Sequence, residues 1–195
     1  MSTRKIIVSF ADLIHAGHSS VKAIPLGIAL IASYALNKFG DRIKVSIFKS
    51  PDYFSEYLNK TIPRITCFSN YIWNINLNYE FARQIKLRSP DSIIVLGGPN
   101  YPIEKKGQES FLLSHPDIDF YTFRYGEQPF VGLLKILLEY EFNVSRIKAS
   151  KTNFPSCHYL HNGRIFQGDL LPPILKTDYI PSPYLSSLRI ASLKI

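Results

Sequence analysis

Four short stretches hold residue types that could do chemistry. The first is Asp12, His15, Gly17 and His18, a carboxylate and two imidazoles beside a flexible backbone position. A ring nitrogen of His can ligate a metal, and a nearby carboxylate can orient the ring. The second is Ser69, Asn70, Tyr71, Trp73 and Asn74, which offers a hydroxyl, two amides and two aromatic faces. The third is the pair Gly97 and Gly98 with Pro99, at the end of IIVLGGP. Adjacent glycines let a chain turn sharply and let a ligand approach the backbone. The fourth is Gly126 with Glu127. Together these residues are rich in amides, hydroxyls, aromatic rings and bare backbone, and poor in cations. The glycine-rich phosphate cradles GxGxxG and GxxxxGK[ST] are both missing from the sequence. A large flat ligand with polar edges suits the set better, its rim held by amides and backbone and its faces covered by rings.

Each residue also has a plainer use. The glycine pair suits a tight strand exit, and Trp73 could plug the end of a sheet. Asn70 and Asn74 are good helix caps. Glu127 suits the positive end of a helix dipole. Asp12 could orient a His or merely cap its loop, and a His in a polar loop is commonly only hydrogen-bonded.

The elements that must position these residues follow from hydrophobic patterning. KIIVSF (5–10), IKVSIF (43–48), RITCFS (64–69), IIVLGGP (93–99) and IDFYT (118–122) read as strands. Between them lie helical patterns. One is opened by Pro25 and closed by Gly40, and another starts at Pro51. A third carries Ile75, Tyr79, Ala82 and Ile85 on one face, a fourth runs from Glu104 to Ser114, and a fifth shows a Phe130–Leu138 stripe. Strand and helix alternate five times, which predicts a Rossmann-like (flavodoxin-like) doubly wound α/β fold, a five-stranded parallel sheet of order 2-1-3-4-5. In that order the switch point lies between strands one and three, and the loops after those strands carry the first two clusters.

The pattern changes near Phe142. Residues 1–142 read as the α/β domain, and 143–195 as a hairpin followed by a Pro-rich linker extension. Asn162-Gly163, between YLH and RIF, is the hairpin turn. Hydrophobic residues make up 46% of the 195, enough for a sizeable core. The net charge of +8 comes from bases scattered in runs no longer than two, so a basic surface is expected and no nucleic-acid partner. Cys67 and Cys157 have no metal-type or disulfide-framework spacing, and Cys67 reads as a core residue. A reducing cytoplasm is the expected compartment. No apolar run approaches the ~20 residues of a membrane span, and the N-terminus lacks a signal-peptide core.

The stretches FADLIHAGHS, IPLGIALIASYA, CFSNYIWNINL, IIVLGGPNYP and the GE of YGEQPF resemble the N-terminal cobalamin-binding module of the cobalamin-dependent radical S-adenosylmethionine (SAM) proteins. CHYLHNGRIFQG and IPSPYL resemble the segment that links this module to the radical SAM barrel. The resemblance implies cobalamin held across the carboxyl ends of the strands. It places Asp12, His15 and Gly17 at the Asp-x-His-x-x-Gly loop of wider cobalamin proteins, whose His ligates cobalt. His15 stands one place late in that frame and Gly17 one place early relative to it, and radical SAM members commonly lack the ligand. Ser69 with Tyr71 is similar to the Ser-x-Leu element against the nucleotide tail. Gly97 and Gly98 are similar to the Gly-Gly element where that tail threads between strands. Arg124-Tyr125-Gly126-Glu127 keeps only the second half of the family's Gly-Glu-Gly-Glu. The Cys-x-x-x-Cys-x-x-Cys run is missing, so the chain is expected to hold no iron–sulfur cluster or SAM site and no catalytic set. The expectation is a truncated or split binding module that presents a corrinoid to a radical SAM partner or missing domain. The alternatives are a standalone flavodoxin-like nucleotide- or flavin-binding protein, or a non-functional truncation.

Overall fold

The computed structural model describes residues 5–15 and 25–185. The strands are β1 (Ile6–Ala11), β2 (Ile43–Phe48), β3 (Ile65–Ser69), β4 (Ile93–Gly97), β5 (Phe120–Thr122), β6 (Cys157–His161) and β7 (Arg164–Gln167). The helices are α1 (Leu26–Phe39), α2 (Pro51–Lys60), α3 (Ile75–Arg88), α4 (Lys105–Leu113), α5 (Glu127–Glu139) and α6 (Val144–Ala149). Their ends follow local chemistry. Gly40 stops α1 at φ 51°, where its N–H donates to the Leu36 carbonyl. Pro51 opens α2, and the Tyr53 N–H donates to the Ser50 hydroxyl at 3.4 Å.

The sheet has seven strands in the order β2-β1-β3-β4-β5-β6-β7. The first five are parallel and stand in the expected order. Helices cover both faces. The α1 and α5 side packs on Phe10, Ile65, Cys67, Val95 and Phe120. The opposite side packs α2, α3 and α4 on Phe48, Phe68, Ile94, Leu96 and Tyr121. Alternate residues of β3 and β4 therefore feed opposite cores, as strand geometry requires.

Two features differ from the sequence expectation. The hairpin forms with the expected turn, but it is part of the sheet. β6 runs antiparallel to β5, pairing Tyr121 with His158 and Thr122 with Cys157. Its buried side chains explain the attachment, since Cys157 and Tyr159 enter the α1/α5 core and Ile165 of β7 enters the other. In addition, α6 occupies a stretch read only as a change of pattern. Asn143 accepts from the Arg146 N–H at 2.9 Å and Ile147 is fully buried, but six residues are too few to show a helical period.

Candidate functional site

The carboxyl ends of β1, β3, β4 and β5 border a cleft of about 650 Å³. Its floor is apolar, made by Phe10, Cys67 and Val95. Gly27, Ile28 and Ile31 of α1 form one wall, and the loops after β4 and β5 form the other. Seven of the expected residues line it: Ser69, Tyr71, Gly97, Gly98, Pro99, Gly126 and Glu127. Asp12, His15, Asn70, Trp73 and Asn74 stand around it without lining it. Gly17 and His18 lie outside the described residues.

The glycine pair is required by the backbone itself. Gly98 has φ 134°, and a Cβ there would stand 2.6 Å from the Asn70 carbonyl oxygen. A Cβ on Gly97 would stand 2.7 Å from Thr122 Oγ1. The loops after β3 and β4 press together here, with the Asn70 N–H donating to the Gly97 carbonyl at 2.6 Å. The pair thus makes a tight strand exit and also exposes backbone to the cleft.

Asn70 and Asn74 brace loops instead of capping α3. Asn70 is fully buried and its Nδ2 donates to the Asn100 carbonyl at 2.5 Å and to Tyr121 Oη at 3.0 Å. Tyr121 in turn donates to the Gly98 carbonyl at 2.9 Å. Asn74 sits at the N-cap position of α3 but its side chain makes no cap bond. It accepts from the Tyr71 N–H at 2.8 Å and donates to the Leu13 carbonyl at 3.2 Å, tying the loop after β3 to the loop after β1.

The Trp73 ring does not plug the sheet. It is 54% exposed and stacks on Tyr71 at 4.5 Å with planes 6° apart. His15 is exposed, with Nε2 3.2 Å from the Trp73 carbonyl oxygen. Asp12 accepts a short hydrogen bond from the Ser69 hydroxyl, so it orients Ser69 and not His15. Burial pushes the Asp12 carboxyl above its ordinary value, opposed by the Ser69 bond and by Lys49. Burial and the Asp12 charge both push the Tyr71 phenol up, so it stays protonated. Among the described residues no group of three or more His, Cys, Asp or Glu could hold a metal ion. No described helix is long and apolar enough to cross a membrane.

Sequence patterning missed several lining residues. Tyr101 stacks on Tyr121 at 3.7 Å and meets His158 Nδ1 through its hydroxyl at 3.1 Å. Burial pushes the His158 imidazole down to about 4. Leu170 reaches the cleft from the segment after β7. Tyr101 stands in the conspicuous GGPNY stretch, a signal that could have found it. Leu170 had none, because the antiparallel addition of β6 and β7 to the sheet brings its segment there; the same addition sets His158, which does not line the cleft, against Tyr101.

No family model matches the chain. It is 28% identical over 178 residues to 2-(S-pantetheinyl)-carbapenam-3-carboxylate methyltransferase of Streptantibioticus cattleyicolor, covering 87% of this chain and 24% of that one. It is 33% identical over 72 residues to the cobalamin-dependent radical SAM methyltransferase TokK of Streptomyces tokunonensis, covering 37% of this chain and 10% of that one. The fold is similar to that of the cobalamin-dependent SAM radical enzyme OxsB solved with aqua-cobalamin and SAM bound. The TM-score is 0.68 at 18% identity, covering 92% of this chain and 24% of OxsB. Apo OxsB gives a TM-score of 0.62 at 19% identity, with the same coverage. The chain thus spans about a quarter of the length of the first of these relatives and of OxsB. The likeness to OxsB is one of fold.

Proposed function

We propose that the chain is a cobalamin-binding module that presents a corrinoid to a radical SAM domain. The observation that carries this is the cleft at the carboxyl ends of β1, β3, β4 and β5, at the β1/β3 switch point of a fold that in OxsB is solved with aqua-cobalamin. The residues fit such a group. Apolar walls beside bare glycine backbone accept a bulky, partly apolar tail, and Ser69, Tyr71 and Glu127 supply polar contacts along the edge. The Tyr71–Trp73 stack extends this lining as a flat aromatic surface at the rim. His15 is the imidazole we assign as a candidate cobalt ligand on that rim. Bound corrinoid supplies a cobalt centre able to take up and release an alkyl group. The chain has two cysteines, too few for a three-cysteine cluster motif, so SAM cleavage is assigned to the partner domain.

Gly27 provides the test. It lines the cleft from α1, and a Cβ there meets nothing within 4 Å. Gly27→Phe fills the cleft while replacing a poor helix former. The unaltered protein, mixed with hydroxocobalamin, is expected to keep a red chromophore through desalting. Gly27→Phe should bind at least about tenfold more weakly, a loss of about 1.4 kcal/mol, with an unchanged melting temperature. A colourless unaltered protein, or a variant that binds equally well, defeats the proposal. Retention of a flavin or nucleotide in place of the corrinoid supports the flavodoxin-like alternative.

A further inference from the structure

The loop after β5 is pinned on both sides of Arg124. The Phe123 N–H donates to the Ser156 carbonyl at 3.1 Å, and Gly126 lies against the Ile31 side chain, where a Cβ would collide. Between these points the chain turns at Arg124, whose φ is 68°. That is the left-handed region, which glycine enters freely and other residues enter with strain. The turn sets an exposed arginine on the lining of the cleft. Of the described residues that line it, only Arg124 and Glu127 carry charge. Glu127 is the first residue of α5, where the positive end of the helix dipole offsets its carboxylate. Arg124 forms no ion pair among the described residues. Strain held at a ligand cleft points to a use for the side chain that requires it. A guanidinium binds phosphate or carboxylate oxygens through paired, charge-assisted hydrogen bonds.

We propose that Arg124 is the anion site of the cleft, and that it pairs with the phosphodiester of the corrinoid's nucleotide tail. The assignment rests on the corrinoid proposal and deepens it. In cobalamin the phosphodiester joins an arm of the ring to the ribose and base, and it is the one formal anion of the tail. The floor of Phe10, Cys67 and Val95 can take the base but not an unpaired charge, whose desolvation would cost too much. A tail seated in the cleft therefore leaves its phosphate at the mouth, beside the cation that lines it.

The experiment measures binding of three corrinoids to the unaltered chain, Arg124→Asn and Arg124→Gly. Both substitutions remove the charge, and both residues tolerate the left-handed conformation, so an intact melting transition is expected. Hydroxocobalamin carries the whole tail. Cobinamide phosphate keeps a phosphate and lacks the nucleoside. Diaquocobinamide lacks both. In 50 mM salt each variant should bind hydroxocobalamin and cobinamide phosphate about 5- to 10-fold more weakly, the scale of a charge-assisted hydrogen bond at an exposed site. In 0.5 M sodium chloride that loss should shrink to about twofold or less, because exposed charges are screened. Diaquocobinamide, a cation without the phosphate, should bind the variants as well as the unaltered chain or more tightly.

The sign of the diaquocobinamide effect is decisive. A loss as large for this ligand as for hydroxocobalamin would mean that Arg124 acts through the ring or through the fold, and overturns the assignment. It is equally overturned by undiminished hydroxocobalamin binding in both variants, by a loss that salt does not reduce, or by a loss that cobinamide phosphate does not share. An unaltered chain that binds none of the three corrinoids overturns the corrinoid proposal itself, a result separable from those four.

Discussion

His158 is the residue whose surroundings make the sharpest demand on solution conditions. It is 2% exposed, with Tyr101 on one ring nitrogen and the Phe123 ring 4.2 Å away. Burial disfavours its charged form, and the imidazole sits at about 4 against an ordinary 6.5. Between those values the unfolded chain binds a proton that the folded chain refuses, so stability falls with acidification. The melting temperature should decline as pH drops through 6.5 toward 4, and His158→Gln should flatten the part of that decline between 6.5 and 5. An unchanged slope in the variant would assign the acid sensitivity to carboxylates instead. The Tyr101–Tyr121 stack and the Asn70–Tyr121–Gly98 bonds connect His158 to the cleft wall, so weaker corrinoid binding is expected to accompany the acid transition.

The hairpin is the element in which local sequence and distant packing meet. Asn162 and Gly163 both have positive φ, 51° and 74°, as a two-residue hairpin turn requires. A Cβ at Gly163 meets nothing within 4 Å, so a larger residue there is opposed by backbone conformation and not by a clash. Gly163→Val should cost about 1–2 kcal/mol in urea unfolding, from forcing a β-branched residue into the left-handed region. A cost near zero would mean that the turn relaxes without strain. The turn was legible because it depends on two adjacent residues. The pairing of β6 with β5 was not, because it depends on where Tyr121 and Thr122 end up. The same contrast runs through the cleft. The Gly97–Gly98 turn and the polar loops after β1 and β3 stand out as residue types, and the order of the first five strands follows from the alternation of strand and helix. That Asn70 and Asn74 face inward as braces, and that Asp12 meets Ser69 instead of His15, depends on how neighbouring loops fit together.

For the whole molecule, β6 and β7 close one side of the sheet. Tyr159 is buried in the core together with Phe120 and Phe154, and Cys157 beside it is fully buried. A chain cut after residue 142 would bare the edge of β5, leave Phe120 short of two ring partners and remove Leu170 from the cleft. Exposed edges recruit other chains. The cut protein is expected to aggregate, or to elute on size exclusion as larger species, while the full chain does not. A monodisperse fragment that still binds hydroxocobalamin would show that the first five strands suffice.

The sequence by itself determined the class of fold, the parallel order of five strands and the loops that border the cleft. These follow from hydrophobic period, turn chemistry and chain order, which are local properties. Only the tertiary structure decided which residues of those loops line the cleft and which brace it. It also decided that the last two strands extend the sheet. Those outcomes depend on contacts between residues far apart in the chain, such as Asp12 with Ser69, Asn70 with Asn100 and Tyr101 with His158. Nothing in the local pattern of either partner specifies such a contact, because the free energy that selects it arises only when both are packed.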